Sequence, residues 1–173
     1  MTTCIFDAET SGLAPIELVS KEPRQVKQNR IISIVVMNIE ENRKECFYGD
    51  DEKKILTDFS NFLKYQISLI GFNCEFDLNF IKVRCFVQGV SLPEGFKNMK
   101  IIDLRKVLNS YEYAHGTLSE YGKFIGFEAK TESGKMMPIY FETKQWDKIK
   151  DHNLEDLELT LLVYNRCKEC NLI

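Results

Sequence analysis

The chain has 173 residues, 44% of them apolar and 28% charged, which at roughly 100–200 residues per domain is a single domain over 1–173. That composition excludes a disordered, collagen-like or coiled-coil protein. With 23 basic against 26 acidic residues the net charge is −3, which excludes a dominating positive field that draws in nucleic acid polymer from afar, though not an enzyme that grips a strand end.

In chain order, Cys4–Phe6 is a short apolar run leading into Asp7, and Thr10-Ser11-Gly12 is turn chemistry. Residues 14–30 hold Pro15, Pro23 and mixed charges and read as a long loop. Ile31 to Ile39 is a β-branched run that predicts a strand, and Lys44 to Tyr48, after a polar turn at 40–43, predicts its hairpin partner. The period then changes. Ile55, Phe59, Phe62 and Leu63 predict a helix over 51–65, capped by Asp50 or Asp51. Ile67 to Phe72 predicts a buried strand, and Asp77 to Val87 a helix ending near Gly89 and Pro93. A short strand at Lys100–Asp103 leads into a helix through Leu108, and Thr117 to Ile125 forms another, stopped by Gly126. Thr131 to Pro138 reads as a loop, and Phe141–Ile149 and His152–Lys168 as two closing helices. Three opening antiparallel strands followed by alternating helix and strand predict an α/β protein, a mixed sheet flanked by helices.

No stretch approaches the 18 or more apolar residues of a membrane span. Asp7 and Glu9 would interrupt any signal peptide. The six cysteines show no regular spacing, so a reducing, cytoplasmic setting is expected. Cys167 and Cys170 form a lone C-x-x-C. A structural zinc site needs four ligands, so a disulfide or plain packing is the expectation there. His115 falls in a loop and reads as polar surface.

Three clusters carry chemistry. Asp7 and Glu9, two apart on a strand, share a face and repel unless a cation sits between them. Mg²⁺ or Mn²⁺ suits such oxygen donors, and the alternative is a solvent-facing pair on an edge strand. A hydrophobic strand delivers Asn73, and a helix begins close to Asp77, with Phe76 beside it, where a carboxylate is in any case favoured. His152 and Asp156, at i and i+4, share a helix face that could equally be a solvated acidic surface.

Phe-Asp-x-Glu-Thr-x-Gly-Leu at 6–13, Gly-Phe-Asn-x-x-Phe-Asp-Leu at 71–78 and His-Asn-Leu-Glu-Asp-Leu-Glu-Leu-Thr-Leu at 152–161 stand in this order. Together they resemble the DEDD superfamily of 3′–5′ exonucleases, and more narrowly the proofreading exonuclease domain of family B DNA polymerases. Ile-Ile-Asp-Leu at 101–104 and the run holding Leu118, Tyr121, Ile125 and Gly126 are similar to that family too. The resemblance implies a ribonuclease H-like fold; a replicative polymerase needs several hundred residues more than these 173, so the expectation is a freestanding nuclease, or one whose partner subunit supplies other functions. The resemblance also implies that Asp7, Glu9, Asp77 and Asp156 hold two divalent ions, which in such sites lie roughly 3.5–4 Å apart. It further implies release of 5′-mononucleotides from the 3′ end of single-stranded DNA or RNA, DNA being favoured.

Thr10, Leu13, Asn73 and Phe76 match family positions at the terminal nucleotides, although Phe76 could equally be core. Arg84, on the helix after the second motif, is a candidate phosphate contact. One departure stands out. The tyrosine branch of the superfamily has its tyrosine four residues before the last aspartate, and the histidine branch its histidine five before. Here His152 sits four before Asp156, and its imidazole suits activation of water near neutral pH. The rival readings are an endonuclease of the same fold and a catalytically inactive module that binds nucleic acid or a protein partner.

Overall fold

The computed structural model describes residues 2–12, 29–109, 116–127 and 134–173. Strand β1 (Thr2–Thr10) lies in the middle of a five-stranded sheet of order β3-β2-β1-β4-β5. On one side it pairs antiparallel with β2 (Ile31–Asn38), which pairs antiparallel with β3 (Arg43–Tyr48). On the other it pairs parallel with β4 (Gln66–Gly71), and β4 with β5 (Lys100–Asp103). The chain therefore has the α/β architecture expected of it, a mixed sheet opened by three antiparallel strands. Every residue of β2 is buried, which accounts for its unbroken apolar run.

Alternation along β1 divides the core. Cys4 and Phe6 pack with Leu56 and Phe59 of α1 (Glu52–Leu63) and with Leu78 and Ile81 of α2 (Cys74–Gln88). Ile5, on the opposite face, packs with Leu157, Val163 and Cys167 of the long final helix. Fully buried side chains such as Phe6, Phe59 and Ile5 each contribute about 1.5–3 kcal/mol through burial. The remaining helices are α3 (Leu104–Leu108), α4 (Leu118–Phe124), α5 (Met137–Glu142) and α6 (Trp146–Glu169), with 3-10 turns at Glu94–Asn98 and Gly134–Met136.

Two glycines permit close approach. A Cβ at Gly71 would lie 2.4 Å from Cys74 Cβ and 3.0 Å from the Phe6 carbonyl, so β4 can turn into α2 directly beside β1. A Cβ at Gly122 would lie 2.8 Å from Leu159 Cδ1, so α4 can seat against α6.

Three boundaries differ from expectation. Helix α2 starts at Cys74 rather than Asp77, because Asn73 takes a left-handed turn (φ 62°) and the helix begins at once. The break between the closing helices falls at 143–145, where Lys144 has φ 55°, and not between Ile149 and His152. No glycine or proline interrupts 146–169, so α6 runs through the site as one rod. The expected loop at Thr131–Pro138 includes, in its described part, the 3-10 turn and the first residues of α5, with Pro138 in the first turn. Most of the expected loop 14–30, together with Leu13, His115 and residues 131–133, lies outside the described residues. Cys167 is buried and Cys170 exposed, and both are free thiols.

Candidate active site

Strand alternation puts Asp7 and Glu9 on the face of β1 that Ile5 turns toward α6. Asp7 stands opposite Val35 and Glu9 opposite Ser33, and a bulge between Glu9 and Thr10 ends the regular pairing. The pair thus sits at the carboxyl end of the central strand, beside β4's own carboxyl end. From there the chain turns through Asn73 into α2, with Asp77 in its opening turn. Helix α6 crosses the same face and presents His152 and Asp156 from consecutive turns.

The geometry is tight. His152 Nε2 lies 3.3 Å from Glu9 Oε1 and 3.5 Å from Asp156 Oδ2. Ligand atoms of Glu9, His152 and Asp156 all fall within 4.8 Å of one another. A Cβ on Gly134 would come within 3.9 Å of His152 Nε2, so the chain before α5 passes over the imidazole.

The electrostatics are those of crowded carboxylates short of a cation. Burial first, then the charges of Asp156, Asp77 and Glu9, push Asp7 well above the usual carboxylate range, against a hydrogen bond from Asn153 that opposes the rise. Asp77 is raised in the same way, by burial and then by Glu9 and Asp103. Burial raises Asp156 to about 6, with Glu9 and Glu155 adding to the rise and His152 opposing it. For His152 burial disfavours the charged ring, but the hydrogen bond and charge of Glu9, with Asp156 and Glu155 behind it, prevail and its pKa rises. Half-buried oxygen donors that raise one another's pKa suit a hard divalent cation such as Mg²⁺ or Mn²⁺.

The structure therefore brings Asp7, Glu9, Asp77, His152 and Asp156 together from β1, α2 and α6. Asn73 and Phe76 stand on the same α2 turn, both half-buried. Thr10 ends β1 with its hydroxyl donating to the Gly12 carbonyl at 2.7 Å. Arg84 is not a phosphate contact. It is 4% exposed, and its guanidinium forks onto Glu52, Nε to Oε1 at 2.8 Å and Nη2 to Oε2 at 2.6 Å. Glu52 also accepts from the Ile31 amide and from Gln88, so this pair ties α1, α2 and β2 together inside the protein.

Asn153 is the residue that sequence reasoning missed. It is fully buried, donates from Nδ2 to Asp7 Oδ2 at 2.5 Å and accepts from Ser33 Oγ at 2.6 Å. Its position next to His152 was the one available signal, and that says nothing about its partner on β1.

Comparison with known proteins agrees with this architecture. A family model described as the RNase_H superfamily matches residues 4–168. The chain is also similar to a protein of Methanocaldococcus jannaschii named "Uncharacterized protein MJ0365", 28% identical over 187 residues, covering all of this chain and 99% of the relative.

Proposed function

The chain belongs to the RNase_H superfamily, whose fold generally serves phosphodiester hydrolysis with divalent metals, and on that premise we propose that it is a metal-dependent 3′–5′ exonuclease. Its substrate on this reading is the 3′ end of a single strand, DNA favoured, and its product a 5′-mononucleotide. The observation that carries the reading is the meeting of carboxylates from β1 and α6 around His152 Nε2, at 3.3 Å from Glu9 and 3.5 Å from Asp156, with Asp77 of α2 close enough to Asp7 and Glu9 to share their charge. An exposed acidic surface has no reason to draw Asp7, Asp77 and Asp156 together, half out of water, at the cost their raised pKa values record.

Asp7, Glu9, Asp77 and Asp156 would hold two divalent ions, which when bound supply Lewis acidity and neutralise charge at the scissile phosphate. The chain's own groups do the rest. Asn153 fixes which oxygen of Asp7 is free by occupying Oδ2. His152 sets Nε2 between Glu9 and Asp156; with both carboxylates engaged by the ions, that nitrogen would be free to take up a proton leaving water. Asn73 and Phe76 receive the terminal nucleotide, together with Thr10 and Leu13 of the first motif.

The test is incubation with 3′-labelled and 5′-labelled single strands of both sugars, with Mg²⁺ or Mn²⁺. A stepwise ladder shortening from the 3′ end is expected. Internal cuts would make the protein an endonuclease, and binding without cleavage an inactive module.

A further inference from the structure

Helix α2 carries Asn73 and Asp77 but has no cap of its own. Asn73, at its N-cap position, is left-handed and makes no side-chain bond to the helix amides. An uncapped first turn leaves backbone N–H groups without partners and frays. The partners come from another strand. Asp103, at the end of β5 and 5% exposed, accepts the Asn73 amide at 2.9 Å on Oδ1 and the Glu75 amide at 3.2 Å on Oδ2. Its Oδ1 also accepts the Arg105 amide at 3.1 Å, which caps α3.

The segment that follows adds two more links. Arg105 Nη1 donates to Asn73 Oδ1 at 3.1 Å, and Lys106 pairs with Glu75. With its oxygen accepting from Arg105, Asn73 has its Nδ2 N–H groups to offer a substrate. Arg105 Nε is buried with no partner among the described residues.

The geometry points to Asp103 and Arg105 as positioning residues, a clamp from β5 and α3 that fixes the first turn of α2 so that Asp77 reaches the carboxylate cluster and Asn73 faces the substrate with its N–H groups. Asp103 acts through α2 and α3, its oxygens accepting from the Asn73, Glu75 and Arg105 amides. This inference rests on the exonuclease reading for its consequence in the site, and on the hydrogen bonds alone for the clamp.

The experiment uses the full chain as wild type, Asp103→Ala, Asp103→Asn, Arg105→Ala and, as control, Asp51→Ala, which removes the comparable side-chain cap of α1. Mn²⁺ binding is titrated calorimetrically well below the unfolding temperature, amide hydrogen exchange is read over 73–77, and KM and kcat are measured on a 3′-labelled strand. Loss of an outer partner of a metal site typically weakens metal affinity 10–100-fold, and that loss is expected for Asp103→Ala, with faster exchange at Asn73 and Glu75. Asp51→Ala should bind Mn²⁺ as wild type does. Arg105→Ala should raise KM more than it lowers kcat. Where Asp103→Ala fails to fold, Asp103→Asn, which sets an NH₂ against one of the two α2 amides, must show the same direction.

Mn²⁺ affinity within twofold of wild type in a folded Asp103 variant would overturn the inference, as would equal weakening in Asp51→Ala. If wild type binds no Mn²⁺, the exonuclease reading fails by itself. Hydrogen exchange then decides the clamp, and unchanged protection at 73–77 in Asp103→Ala refutes it.

Discussion

Asp156→Asn should stabilise the metal-free protein, and by an amount the site allows to be worked out. The Asp156 carboxyl is raised from 3.8 to about 6, a shift of about 2 units, and each unit is about 1.36 kcal/mol of preference for the neutral form. Ionising it in the folded state therefore costs about 3 kcal/mol, discounted to about 2 because the side chain is 28% exposed and His152 lies 3.5 Å away. The sign follows from the direction of the shift. A folded-state pKa above the unfolded one means that the folded state holds the proton more tightly, so stability falls as pH rises. The penalty is absent below about pH 4, grows between about 4 and 6, and is complete above 6. Asparagine keeps the shape and an oxygen toward His152 but carries no charge. Urea unfolding in EDTA should then show wild type and variant alike near pH 4. At pH 8 the variant should be ahead by about 2 kcal/mol, or about 4–8 °C in Tm for a chain of this size. Excess Mn²⁺ should reverse the order, since a ligand at 100 times its Kd adds about 2.7 kcal/mol to the protein that binds it. A variant less stable than wild type at pH 8 in EDTA, or a gain independent of pH, would refute the reasoning.

Asp7→Ala should abolish turnover with the fold intact and metal-free stability unchanged or raised, and circular dichroism beside the labelled-strand assay checks both. His152→Ala should lower kcat about 10²–10⁴-fold, the usual worth of a general base, with little change in the calorimetric Mn²⁺ Kd, and His152→Tyr should retain part of the activity. Arg84→Met should cost about 3–5 kcal/mol in urea unfolding by leaving Glu52 buried without its partner, while oligonucleotide affinity in the folded fraction stays unchanged. The affinity of an inactive Asp7→Asn variant for single strands should fall only shallowly with salt, because a chain of net charge −3 grips few phosphates, and a slope implying six or more contacts would contradict end-directed binding.

Much of the molecule was legible in local pattern. Strands and helices declared themselves through period, because β2 buries both faces and α1 buries one. Asp7 with Glu9, and His152 with Asp156, share faces by spacing alone, whatever those faces meet. Where segments end was less legible. Asn73 turns left-handed and starts α2 three residues early because Asp103, 30 residues on, accepts its amide, and no local pattern contains that partner. The same limit misled the reading of Arg84, which beside the second motif resembled a phosphate contact. Glu52, 32 residues away, neutralises it in the interior. Asn153 looked like any polar residue of an acidic helix until the fold laid α6 against β1 and brought it to Asp7 across 146 residues of chain. Periodicity is set by the backbone within a few residues and records which side of an element is apolar. Which element that side meets is decided by the packing of the whole sheet, and so the carboxylates could be named from the sequence while the groups that hold them in place could not.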